Sequence, residues 1–201
     1  MRFREIAAFD VVHAKLEWPW IAFAASGDCL AYASSAKTIA TRGLEGERVV
    51  EGTSFTLPPD LELDSGLSAS EEAGARRAGL TKFSLAKGGA LLAVAGIAGD
   101  ASVVATLDAS GERKRVRNDV LLGAGHDVQA IAFDRTGRRL WISAESATET
   151  VIALVDVASL EVVGVLRSAP FPRPALHELH VHPKDDAILL LAACGDEGSF
   201  A

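Results

Sequence analysis

Apolar residues along this chain fall in short runs separated by turn-forming residues, with little helical spacing. Gln129-Ala-Ile-Ala-Phe133 alternates small or apolar positions, as a half-buried strand requires. Val151-Ile-Ala-Leu-Val155 and Leu189-Leu-Leu-Ala-Ala193 are continuous apolar runs, the pattern of strands buried on both faces. Only Ser68–Ala78 reads as helical. Ser68 and Glu71 stand there at capping-box spacing, with Gly74 weakening the interior. The pattern predicts an all-β chain with one short helical segment.

The runs repeat. Phe23-Ala-Ala-Ser-Gly27-Asp-Cys-Leu30 matches Phe133-Asp-Arg-Thr-Gly137-Arg-Arg-Leu140 in its aromatic, its turn glycine and its leucine. His182 through Asp186 to Leu189 keeps the spacing, and Phe83 through Gly88 to Leu91 fits with one inserted residue. Each segment leads into an apolar strand: Leu30–Ser34, Leu91–Gly96, Leu140–Ser143 and Ile188–Ala193. In three copies a third strand follows, centred on Ile39, Val104 and Ile152. A polar turn then leads to a fourth, Arg48–Glu51, Arg113–Arg117 or Glu161–Leu166. The period is about 50 residues, stretched to about 60 between the first two copies. A single four-stranded unit cannot bury both of its faces, whereas units stacked radially can.

Ile131-Ala-Phe133-Asp-Arg-Thr-Gly137-Arg-Arg-Leu140-Trp141 and Leu179-His-Val-His182-Pro183 resemble the first-strand consensus of WD-repeat and related β-propellers. Gly125-His126 is similar to that family's Gly-His pair, and Leu107-Asp108 and Val155-Asp156 to its Trp-Asp dipeptide. No copy carries the Trp of that dipeptide, so the resemblance is to degenerate members. It covers nearly the whole chain and implies a single domain over residues 1–201. The expected fold is an all-β β-propeller of four-stranded antiparallel blades, with about three and a half blades in this chain. Pro58–Ala78 reads as an insertion between blades, and Phe3–Val12 as an orphan outer strand.

Propellers have about four to eight blades. The expectation is therefore an incomplete ring, closed by a second copy, another polypeptide or a further C-terminal portion. Each buried, unpaired backbone group at an open edge would cost about 1–3 kcal/mol.

Composition narrows the setting. The chain is 49% apolar and 23% charged, with net charge −7 and 2 cysteines. That apolar content excludes a disordered chain, and the negative charge argues against nucleic acid as the main partner. Two cysteines make no disulfide framework, and no leader pattern follows Met1. The longest apolar run, Ala187–Cys194, is far shorter than a membrane span. A cytoplasmic protein with no membrane partner is expected.

Candidate chemistry is sparse. His177-Glu-Leu-His180-Val-His182 suggests a metal site, but strand parity lets only His180 and His182 share a face. A structural role explains them without metal, and the resemblance places His182 at an aromatic core position. Trp18 and Trp20 stand before the first full unit, either as exposed anchors for a peptide or as packing between blades. Trp141 and the two cysteines, Cys29 and Cys194, read as core. The basic run Glu112–Arg117 falls on an outermost strand, where charge guards against edge pairing. Phe171-Pro-Arg-Pro174 could form a polyproline II ligand, though an inter-blade linker suffices. Asp108 and Asp156 read as turn residues. No catalytic motif and no cofactor is indicated.

The loops between second and third strands share one end of a propeller with the connections between blades. There Asp100, Glu145, Glu149, Asp196 and Glu197 face Lys37. The connections add Asp60, Glu62, Asp64, Glu71 and Glu72 against Arg76, Arg77 and Arg173. Together they read as an acidic face able to steer a basic protein or peptide; ordinary solvated loops are the alternative. The leading expectation is a non-catalytic interaction or scaffold module. The alternatives are an enzyme or ligand sensor using the central channel, and a structural subunit binding through its open strand edge.

Overall fold

The computed structural model describes residues 21–46, 48–63, 79–169, 175–182 and 188–194. Three four-stranded sheets follow one another along the chain, each pairing its strands in sequence order. The first holds β1 (Ile21–Phe23), β2 (Cys29–Ser35), β3 (Thr38–Glu45) and β4 (Arg48–Thr56). The second holds β5 (Gly79–Leu85), β6 (Leu92–Ala98), β7 (Ala101–Asp108) and β8 (Gly111–Arg117). The third holds β9 (Asp127–Phe133), β10 (Arg139–Glu145), β11 (Thr150–Asp156) and β12 (Glu161–Ser168). β13 (Ala175–Val181) pairs with β14 (Ile188–Cys194). All pairings are antiparallel. The first strands lie innermost, since β1 meets β5, β5 meets β9 and β9 meets β13. The sheets are therefore the blades of a β-propeller.

The cores lie between the blades. Ala31, Ala33 and Ile39 of the first blade pack with Leu85, Leu92 and Val94 of the second. The other face of the second blade presents Ala93, Ala95 and Val104 to Phe133, Leu140 and Ile142 of the third. Ala130, Ala132 and the partly buried Trp141 then meet Leu179. At the second interface the second blade presents small residues and the third returns larger ones. Continuous apolar strands such as β6 and β11 have cores or blades on both sides, which their sequences require.

The repeated glycine has a conformational cause. Gly27 and Gly137 adopt φ of 71° and 73°, a left-handed conformation that side chains disfavour. Their amides close the same turn, onto Ala24 O at 2.8 Å and Asp134 O at 3.1 Å. The residue inserted in the second copy is absorbed by a short 3₁₀ turn over Lys87–Gly89.

Some expectations change. The repeat aromatic is buried at Phe133, 1% exposed, but Phe23 is 64% exposed. His182 is exposed too, one residue beyond the end of β13; the core position expected for it is corrected, because the strand stops at Val181. A short helix, α1 (Asn118–Leu122), occupies the connection between the second and third blades, where none was expected. The expected helix at Ser68–Ala78 and strand at Phe3–Val12 lie outside the described residues. No helix among the described residues is long and apolar enough to cross a membrane.

Candidate functional site

The second-to-third-strand turns and the inter-blade connections do meet at one end of the molecule. Leu57 N donates to Lys37 O at 2.9 Å, and Leu63 N to Ala36 O at 2.8 Å. These bonds lash the β4–β5 connection to the β2–β3 turn, and Lys37 Nζ lies 3.4 Å from Glu62 Oε1. In the third blade, the β10–β11 loop is closed by Ser146. Its hydroxyl accepts from Thr148 N at 3.3 Å and Glu149 N at 3.1 Å, a local side-chain turn. That closure sets Glu149 between two partners: Oε1 lies 3.2 Å from His126 Nε2 and 2.5 Å from Arg167.

His126 belongs to the Gly-His pair, and its ring is buried. Its Nδ1 faces Gly123 O at 3.2 Å, and Asn118 Nδ2 donates to its carbonyl oxygen. α1 and the β10–β11 loop are thereby fastened together. Thr150 Oγ1 and Asn118 Oδ1 are buried without a hydrogen-bond partner among the described residues.

The acidic residues of this end therefore stand in different states. Asp100 is exposed in the β6–β7 turn. Glu149 is engaged by His126 and Arg167, and Glu145 is buried at 6% exposure at the end of β10, so its carboxylate does not lie on the open surface. Arg117 holds Asp119 at 2.8 Å. That guanidinium keeps the Asp119 carboxyl below its usual range, while Asp119, and more weakly Asp100, raise Arg117. Nearby, Arg115 contacts Asp60 at 2.5 Å and Glu112 at 2.6 Å; its hydrogen bond lowers Asp60. Cations hold many of these carboxylates, which still outnumber them among the described residues. Sequence reasoning did not bring Arg117 and Arg167 to this end because strand positions were not assigned to it, and it had no helix to carry Asp119. His126 was seen only as a motif residue.

Trp18, Trp20, Asp196 and Glu197 lie outside the described residues. His180 and His182 are both exposed. Among the described residues, no three His, Cys, Asp or Glu side chains are grouped to hold a metal ion. Asp108 and Asp156 are turn residues: Asp108 accepts from Ser110 N at 2.8 Å, and Asp156 from Ser159 N at 2.9 Å. The basic run lies on β8, the outermost strand of its blade; its three arginines pair with Asp108, Glu112, Asp60 and Asp119, and Lys114 donates to the Ala158 and Ser159 carbonyls.

At the opposite end, a cavity of about 300 Å³ lies between the first two blades, lined by Asp28, Cys29, Thr41, Glu45 and Gly88. The Cys29 thiol is pushed up to about 12 by burial first and by the neighbouring Asp28 next. It is a buried packing residue, since nucleophilic cysteines need the thiolate.

No protein-family profile and no curated protein sequence matches the chain. Solved structures do. Kuenenia stuttgartiensis hydrazine synthase is 16% identical with a TM-score of 0.51, over 96% of this chain and 47% of that one. Kluyvelomyces marxianus Hsv2 is 12% identical with a TM-score of 0.47, over 82% of this chain and 44% of that one. The Dos1 propeller is 12% identical with a TM-score of 0.45, over 80% of this chain and 39% of that one. This chain spans less than half the length of each. At such identities the first likeness is one of fold alone; the radially stacked four-stranded sheets give this chain a β-propeller fold.

Proposed function

We propose that this chain is a non-catalytic interaction module that presents its loop end to a basic protein or peptide. The observation that carries the reading is the convergence of the β2–β3, β6–β7 and β10–β11 turns with the inter-blade connections, with Asp100 exposed among them. The internal ion pairs hold the loops in place, so a partner meets a preformed surface and loses little entropy on docking. Residual negative charge sets orientation and encounter rate. Trp18 and Trp20 are the proposed aromatic anchors, and Asp196 and Glu197 further acidic contacts.

The ring is proposed to be completed by a second copy, another polypeptide or a further portion of chain. Phe23 is 64% and Ile21 39% exposed on the first blade. In the second and third blades the matching aromatics, Phe83 and Phe133, pack into an inter-blade core. The first blade therefore has the apolar face of a blade whose predecessor is missing among the described residues.

An oligolysine peptide is the probe. Its affinity should fall steeply with salt, and Asp100→Lys combined with Glu62→Lys should weaken it about tenfold at low ionic strength. Equal affinity for both proteins at every salt concentration would remove the proposal.

A further inference from the structure

Both ring nitrogens of His126 face oxygens that accept hydrogen bonds. Nδ1 lies 3.2 Å from the Gly123 carbonyl oxygen and Nε2 3.2 Å from Glu149 Oε1. A carbonyl and a carboxylate only accept, and a neutral imidazole carries a single N–H. In the neutral form one nitrogen would turn a lone pair towards an oxygen. The side chain is 7% exposed, so that mismatch would be buried, where an unmade bond costs most. Only the imidazolium donates at both nitrogens. The two contacts as they stand therefore match the protonated ring.

The other charges of this corner are turned elsewhere or already held. From β12, Arg167 Nη1 lies 2.5 Å from the same Glu149 oxygen. On the side of α1 and β8, Asp119 and Arg117 hold each other at 2.8 Å, with Asp100 of the β6–β7 turn acting weakly on Arg117. Asp127 and Glu145 stand opposite each other in the ladder. Their neighbours Val128 and Ala144 pack towards the second blade, so strand alternation turns both carboxylates to the other face.

The two bonds of the ring are not equally free to part. Gly123 stands three residues before His126 in one tight turn. Gly123 N donates to Asp119 O at 3.1 Å, and Asn118 Nδ2 donates to the His126 carbonyl oxygen. Those bonds pin the ring beside the Gly123 carbonyl, so Nδ1 keeps its proton. Glu149 belongs to the β10–β11 loop and has Arg167 as a second partner. Nε2 is therefore the nitrogen that gives up its proton, and its contact is the one that opens.

We propose that His126 is a protonation latch between the α1 turn and the β10–β11 loop. As imidazolium it ties Glu149 to that turn; on losing the Nε2 proton to water it releases Glu149, which stays with Arg167. The donor count fixes the sign: the latch is closed in acid and opens as pH rises. The loop it governs belongs to the end proposed above for partner binding, so its use in regulation rests on that reading.

Amide hydrogen exchange of the intact chain, with no partner added, tests the latch apart from that reading. It is followed at about pH 5.5 and about pH 8, the range in which histidine changes charge. Protection is taken relative to the unfolded-chain rate at each pH. Residues 146–149 should lose about tenfold in protection between the two, while the core strands β2 and β6 keep theirs. His126→Gln, neutral at both pH values, should abolish the step. So should Glu149→Gln, whose amide can donate to an unprotonated Nε2; this loop variant decides the matter where His126→Gln loses native circular dichroism. Equal protection of residues 146–149 at both pH values in the parent overturns the proposal. So does a step that survives Glu149→Gln, which would belong to the exposed His180 or His182.

Discussion

At the residue scale, position in the stack decides what one repeat residue is worth. Phe133 is buried between two blades, whereas its counterpart Phe23 is 64% exposed. Phe133→Ala should cost about 3–5 kcal/mol, and Phe23→Ala under about 1 kcal/mol. Chemical denaturation of both variants measures the difference. Sequence matching made these residues equivalent because it sees the offset to the glycine and the leucine, not the neighbouring blade. The same blindness hid Arg117 and Arg167: a strand pattern assigns them to an edge, and only the fold brings them to the loop end. A further prediction concerns Asp60, whose carboxyl Arg115 lowers. A lowered carboxyl stabilises the fold above its unfolded-state value and loses that contribution as pH falls through its folded one. Asp60→Asn should therefore destabilise at neutral pH and converge with the parent in acid. Because Asp60 is 46% exposed in this pair, the neutral-pH difference should stay below about 1 kcal/mol. Urea titrations at neutral and acid pH check it.

At the element scale, the strands were readable because turn chemistry brackets each of them. The glycine turn between first and second strands recurs with the same amide bond at Gly27 and Gly137. Alanine at either forces a left-handed backbone and should cost about 1 kcal/mol. A Cβ at Gly137 would also lie 3.2 Å from the Ala86 Cβ, while one at Gly27 meets nothing within 4 Å. Gly137→Ala should therefore lower the melting temperature more than Gly27→Ala. The α1 helix was not readable, since Asn118-Asp-Val-Leu-Leu122 is shorter than the window in which helical periodicity shows. Its position depends on tertiary bonds, such as that from Asn118 to the His126 carbonyl. The position of β8 was readable: the basic run falls on the outermost strand of its blade, where charge is common.

At the scale of the whole molecule, radial stacking turns short hairpins into two distinct ends. One gathers the β2–β3, β6–β7 and β10–β11 turns with the inter-blade connections; the other holds the glycine turns and the cavity beside Cys29. The account places partner binding at the first end, and the most direct test is amide hydrogen exchange with and without saturating oligolysine. Peptide should slow exchange at residues 36–37, 99–100 and 146–149, and leave the turns at Gly27, Gly88 and Gly137 unchanged. Protection confined to those glycine turns or to the inner strands β5 and β9 would contradict the account, assigning binding to the opposite end or to the central channel.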